Sequence, residues 1–208
     1  MTQRELSAAE AERHNIAFRR GCALVGNRLR IGDRRTVLLT WFGRRRLRQA
    51  IKQFEEALQV NPCGWPSMWY LGKIHQRLGE HAEALAWFRR SHELKPDQPD
   101  VAREAGLEAL EVGDFSGAET FFKSAIDCNP NDPGHLANLA LSQVLLGDVE
   151  GAARSAHEAT TRNPGDRVSK IVVRIVDKVR LGECPVPTSM KELQRLASRR
   201  GRPTTAST

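Results

Sequence analysis

Apolar residues recur along this chain three and four positions apart, in short segments separated by glycine, proline and acidic residues, which predicts a series of amphipathic helices and no strands. Near one end, Val168, Ile171, Val172, Ile175, Val176 and Val179 form one stripe, with Lys170, Arg174, Asp177 and Lys178 between them. Near the other, Leu6, Ala9, Ile16, Ala17, Cys22, Ala23 and Leu24 predict a helix within 2–26, although Arg20 and Gly21 interrupt its stripe. Between these ends the pattern repeats on a larger scale. Pro62, Pro96, Pro130 and Pro164 each lie 34 residues after the one before.

Other positions recur in register with the prolines. Ala50, Ala84, Ala118 and Ala152 share one place, and Phe54, Phe88 and Phe122 another, where the last unit has Ala156. Ala57, Ser91, Ala125 and Ala159 share a third. Gly79, Gly113 and Gly147 share a fourth, each followed by Glu80, Asp114 or Asp148; Gly72, Gly106 and Ala140 share a fifth. Each place has a physical reason. Antiparallel helices approach closely where side chains are small, which sets Gly72 opposite Ala84, Gly106 opposite Ala118 and Ala140 opposite Ala152. The glycine–acid pair ends one helix in a left-handed residue and caps the next. The late proline stops the second helix, and Pro66, Pro99 or Pro133 opens the following one.

A helix–turn–helix unit of 34 residues with these positions resembles the tetratricopeptide repeat. The resemblance covers about 31–166, in three full units at 65–98, 99–132 and 133–166. It implies an all-α, right-handed superhelix of antiparallel helix pairs, an α-solenoid. Departures are confined to packing positions: Met68, Ala102 and Leu136 replace an early aromatic, and His75, Ala109 and Gln143 a later tyrosine. The domain reading that follows is an N-terminal helical extension at 1–30, repeats at 31–166, a capping helix at 167–182, and a short helix with a basic, disordered tail at 183–208. In the degenerate first unit, 31–64, the second helix is expected over Leu47–Val60. A short first helix is expected at Arg35–Trp41, with a turn through Arg44, Arg45 and Arg46, and Trp41 and Phe42 in the core. Ser189 and Glu192 have capping-box spacing for a last helix ending near Ser198.

Charge changes this picture at the ends. Of 32 basic residues, 25 are arginine, and the chain runs +7 over 1–60, −7 over 61–166 and +7 over 167–208. Arginine suits phosphate and carboxylate partners, while solvated helix faces in an arginine-rich chain look the same. Cys22, Cys63, Cys128 and Cys184 have no metal or disulfide spacing, which suggests reduced thiols in a reducing cytosol. Residues 1–20 are polar and charged, unlike a secretory signal. The run Val37–Phe42 is too short to span a bilayer. A cytoplasmic location and no membrane partner are expected.

No catalytic constellation stands out, so no enzyme activity, cofactor or metal is expected. The six histidines are scattered; His75 and His81 approach around a turn, with no carboxylate or cysteine spaced to join them. The family resemblance implies a concave groove lined by the first helices. Its expected residues are Trp69, Tyr70, Lys73 and Arg77, then Arg103, Glu104, Leu107 and Glu111, then Asn138, Leu141 and Leu145. Of these, Trp69, Tyr70, Lys73, Arg77, Arg103, Leu107, Asn138 and Leu141 are the candidate peptide-binding residues. Trp69 and Tyr70 have two readings: anchors for a partner, or rings packed under the N-terminal extension. Some family members grip a C-terminal carboxylate with a fixed set of basic and amide residues. Trp69 occupies the first of those places, and Lys73 and Asn138 also depart from the set. The expected function is therefore a non-enzymatic scaffold or adaptor binding a protein or peptide segment, an acidic one included. The alternatives are a structural subunit of a larger assembly and a nucleic-acid-associated protein. The last rests on Arg200, Gly201, Arg202 and Pro203, which match the core of an AT-hook, a minor-groove element.

Overall fold

Glycine and aspartate partition the chain into helices as the period requires. The computed structural model describes residues 5–26 and 40–198, and among them there are ten α-helices and no strand. In chain order these are α1 Ala8–Val25, α2 Trp41–Val60, α3 Trp65–Leu78, α4 His81–Leu94, α5 Pro99–Val112, α6 Phe115–Cys128, α7 Pro133–Leu145, α8 Val149–Arg162, α9 Arg167–Arg180 and α10 Met190–Ser198. Gly79, Gly113 and Gly147 take φ of 82°, 87° and 84°, the left-handed conformation that glycine adopts without a Cβ penalty. Asp114 and Asp148 then cap α6 and α8, each accepting a hydrogen bond from a glycine N–H three residues on at 2.9 Å. Glu80 departs from this pattern. It makes no side-chain cap and instead binds His75 and Arg48. At the last helix, Ser189 accepts from Glu192 N–H at 3.3 Å, while the Glu192 carboxylate turns to Thr188 N–H at 2.8 Å, one residue before the place the capping box predicts.

The chain divides into two compact units, 1–108 and 109–208. In the first, α1 pairs with α2 and α3 with α4, while α2 also packs on α3. Its core is Val25, Leu47, Ala50, Ile51, Phe54, Leu71 and Ile74, edged by Phe18, Tyr70 and Trp87. In the second, α7 pairs with α8, α6 packs on α7, and α9 covers both α7 and α8. Phe122, Ala152, Ala156, Val172, Ile175 and Val176 are buried there. The apolar stripe expected near the C-terminal end is thus the buried face of α9, except Ile171, which is partly exposed, and Val168, which is 58% exposed.

The expected N-terminal helix is α1, and two expectations for residues 1–64 are corrected. The N-terminal helix is the antiparallel partner of α2. Helix α2 begins at Trp41, so Arg44, Arg45 and Arg46 lie inside a helix and not in a turn. Trp41 and Phe42 are 65% and 71% exposed and do not belong to the core. The part of the expected first helix at 35–39 lies outside the described residues.

The close approach between paired helices also differs from the expectation. A Cβ on Gly72 would lie 2.6 Å from Phe88 Cε1, so Gly72 faces the ring of Phe88, one turn beyond Ala84. A Cβ on Gly21 would lie 2.8 Å from Phe54 Cζ, the same contact between α1 and α2. Both rings are fully buried. Gly21 breaks the stripe of α1 as a sequence and fits its partner as a structure. In an open helix interior, glycine to alanine adds about 0.5–1 kcal/mol of stability. At Gly72 the Phe88 ring reverses the sign: Gly72→Ala is expected to destabilise the first unit by about 1–3 kcal/mol through overpacking. Chemical denaturation monitored by circular dichroism measures this, and a stabilised variant would contradict the contact.

Candidate functional site

The residues assigned to the groove in the first unit sit on α3 and α5. On α3, Tyr70 and its neighbour Trp69 point to different surroundings. Tyr70 stacks on Phe54 with centroids 5.0 Å apart and planes 7° apart, and meets Phe18 edge to face at 5.7 Å. Burial pushes its phenol pKa up, and the neighbouring Cys22 adds to that. Tyr70 therefore packs beneath α1 and α2, the second of the two readings. Trp69 is half-buried, standing edge-on to Tyr70 at 5.1 Å and 83°.

Lys73, one turn along, is not an exposed groove cation. It is 6% exposed, and its Nζ donates to Glu104 Oε2 at 3.1 Å and to Gln76 Oε1 at 2.6 Å. Gln76 Nε2 donates in turn to Glu104 at 2.8 Å and to Glu108 at 2.7 Å. Glu108, 1% exposed, also meets His81 Nδ1 at 2.7 Å. Arg103 bridges Glu104 at 3.0 Å and Asp100 at 3.2 Å. Burial alone would raise the Glu104 carboxyl, but Lys73, Gln76 and Arg103 together outweigh it and hold its pKa below the ordinary value. These side chains form a buried polar layer between two first helices, α3 and α5. An unpaired charge at such a depth is costly, so each member depends on the others.

From the sequence, Gln76 and Glu108 were not singled out as members of this layer, and His81 came up only as a neighbour of His75. The available signal was Glu104 and Glu108 one turn apart on α5, next to the buried Ala105 and Ala109. Two histidines also have carboxylate partners where none was expected: His75 Nδ1 lies 2.7 Å from Glu80 Oε2, and His81 is held by Glu108. Among the described residues no group of three or more His, Cys, Asp or Glu side chains could hold a metal ion. Each imidazole–carboxylate pair is tied into packing, Glu80 through Arg48 and Glu108 through Gln76.

Arg77, Arg103 and Leu107 are partly exposed, as is Trp69, so the first unit presents all four on its α3–α5 surface. In the second unit, Asn138 and Leu141 are partly exposed on α7, whereas Leu145 is buried. Arg200, Gly201 and Arg202 lie outside the described residues.

The polar layer carries its own test. Removing one partner of a buried ion pair typically costs about 3–5 kcal/mol, whereas replacing both by apolar groups of similar size is often neutral. Lys73→Met is expected to lose stability on that scale. Lys73→Met/Glu104→Met should regain most of it in a denaturation cycle, and a strictly additive double variant would contradict the pairing.

A family profile described as tetratricopeptide repeat matches residues 42–99 and 103–167. A search of the curated proteins finds no match. Among solved structures, a crystal structure of MamA superposes with a TM-score of 0.69 at 14% identity, covering 90% of this chain and 91% of that one. YrrB, described as a tetratricopeptide repeat protein with an unusual peptide-binding site, gives 0.60 at 15% identity, covering 74% and 77%. The first repeat domain of Spaghetti (RPAP3), bound to the HSP90 peptide SRMEEVD, gives 0.53 at 14% identity, covering 56% and 93%. At these identities the structures establish the fold alone. The profile spans more than half of the chain, and the chain belongs to the tetratricopeptide repeat family.

Proposed function

We propose that this chain is a non-enzymatic scaffold that holds an extended segment of a partner protein against the α3–α5 surface of its first unit. The observation that carries this reading is the partly exposed ring of Trp69 beside a surface that the Lys73–Gln76–Glu104–Glu108 layer holds in place. A preformed surface loses little entropy on binding, and a rigid aromatic side chain is a favourable anchor. Peptide recognition by YrrB and by the RPAP3 repeat domain is consistent with it. The chemistry of the segment follows from the charges. Lys73 is buried against Glu104, and Arg103 is matched by Glu104 and Asp100. The surface therefore offers less net positive charge than the sequence suggests, and it favours a segment with an apolar side chain for Trp69 and Leu107 over a strongly acidic one. Asn138 and Leu141, partly exposed on α7, are separate candidate contact residues of the second unit.

The test begins with partners captured from native lysate on the wild-type chain, followed by calorimetry with purified protein. Truncating a central aromatic anchor costs about 2 kcal/mol or more, so Trp69→Ala is expected to weaken binding about thirtyfold or beyond. Its helical spectrum and melting should remain close to wild type. Wild-type affinity in a folded Trp69→Ala protein would place the binding surface elsewhere.

A further inference from the structure

A second surface, at the start of α2, is built against the ordinary rules for a helix. Thr40 caps it, accepting from Gly43 N–H at 3.2 Å. Trp41 and Phe42 follow, 65% and 71% exposed, their rings edge to face at 5.0 Å and 83°. The Arg45 guanidinium lies 5.6 Å from the Trp41 ring centroid. Arg44, Arg45 and Arg46 are all exposed, and no acidic residue occupies the first turn. In the sequence no acid stands between Asp33 and Glu55. A helix N-terminus carries positive partial charge, so arginines clustered there oppose helix stability. Two large exposed rings beside them add no packing. Local rules broken without structural return mark a functional surface.

The neighbouring helix reinforces the charge. Arg46 Nη2 donates to Ala23 O at 3.5 Å, which brings the last turns of α1 alongside the first turns of α2. From Arg13 to its end α1 has no acidic residue, and it adds the exposed Arg19 and Arg20. Further along α2, Arg48 pairs with Glu80, which His75 also engages.

We propose that this end of the α1–α2 pair docks on the surface of an anionic lipid membrane. Trp41 and Phe42 enter the interfacial layer, and Arg44, Arg45 and Arg46 hold lipid phosphates. Amphipathic aromatic rings favour the boundary between headgroups and acyl chains, guanidinium groups pair well with phosphate, and the negative surface potential draws clustered basic residues to it. Single-stranded nucleic acid also uses arginine and aromatic residues, but by stacking bases on open ring faces. Here Arg45 lies over the Trp41 ring and Phe42 stands edge-on to it, which makes the pair a wedge and not a stacking platform. No described helix is long and apolar enough to cross a membrane, so the contact is with the surface.

The test is co-sedimentation of the full chain with phosphatidylcholine vesicles, with and without phosphatidylglycerol. Binding is expected only with the anionic lipid and should weaken as salt rises. Trp41→Ser/Phe42→Ser and Arg44→Glu/Arg45→Glu should each reduce partitioning about tenfold or more at unchanged thermal melting. Arg44→Gln/Arg45→Gln serves the same purpose if the charge reversal fails to fold. Absence of binding to anionic vesicles at low salt overturns the proposal, as does full binding by both folded double variants. Binding of a single-stranded oligonucleotide without vesicle binding overturns it in favour of nucleic acid.

Discussion

The first unit depends on a phenylalanine pressed into a place where the opposite helix has no side chain. Phe88 fills the space above Gly72, and Phe54 the space above Gly21. Burying such a ring contributes roughly 1.5–3 kcal/mol, and close packing makes the contact intolerant of one added carbon. In α3–α4 the rest of the pair is arranged to deliver the ring to its gap. The left-handed glycine at Gly79, Gly113 or Gly147 reverses the chain. The small residues Ala50, Ala84, Ala118 and Ala152 are fully buried, one turn before the corresponding ring position.

A second layer of order lies between neighbouring first helices, and it is polar. Lys73, Gln76, Glu104, Glu108 and His81 form hydrogen bonds that an apolar contact would not make directional. Such a layer adds little net stability, because desolvation offsets most of the attraction. It ties α3 to α5 through directional contacts and takes a cation off the surface. Lys73, the cation that most makes α3 look ready for an acidic ligand, is spent inside the protein. What remains partly exposed on α3 and α5 is Trp69, Leu107, Arg77 and an Arg103 already paired with Asp100 and Glu104.

The repeat itself was legible because its constraints recur at fixed spacing: a proline after each second helix, a glycine at each turn, a phenylalanine or alanine in each core. The pairing of α1 was not. Sixteen residues separate Gly72 from Phe88, but thirty-three separate Gly21 from Phe54, because a longer connection joins α1 to α2. A fixed period therefore looked for the first helix inside that connection. The same displacement put Trp41 and Phe42 in an expected core, when they open a helix whose buried face begins at Gly43 and Leu47. Lys73 was misread for another reason. Its partner Glu104 lies in the next repeat, and pairing across repeats leaves no trace at a spacing of 34. Tyr70 was the reverse case: packing under the N-terminal helix was one of two readings, and the stacked Phe54 ring settles it.

The claim that the contact between Gly72 and Phe88 is repeated in the α1–α2 pair is tested most directly by a double-mutant cycle on Gly21 and Phe54, read by chemical denaturation. Gly21→Ala places a methyl group against the Phe54 ring, and Phe54→Leu makes room for it. The expected result is strong coupling, with the double variant more stable than the sum of the single effects by about 0.5–3 kcal/mol. Strict additivity would contradict the contact and leave α1 as an appendage to the repeats instead of the first helix of one.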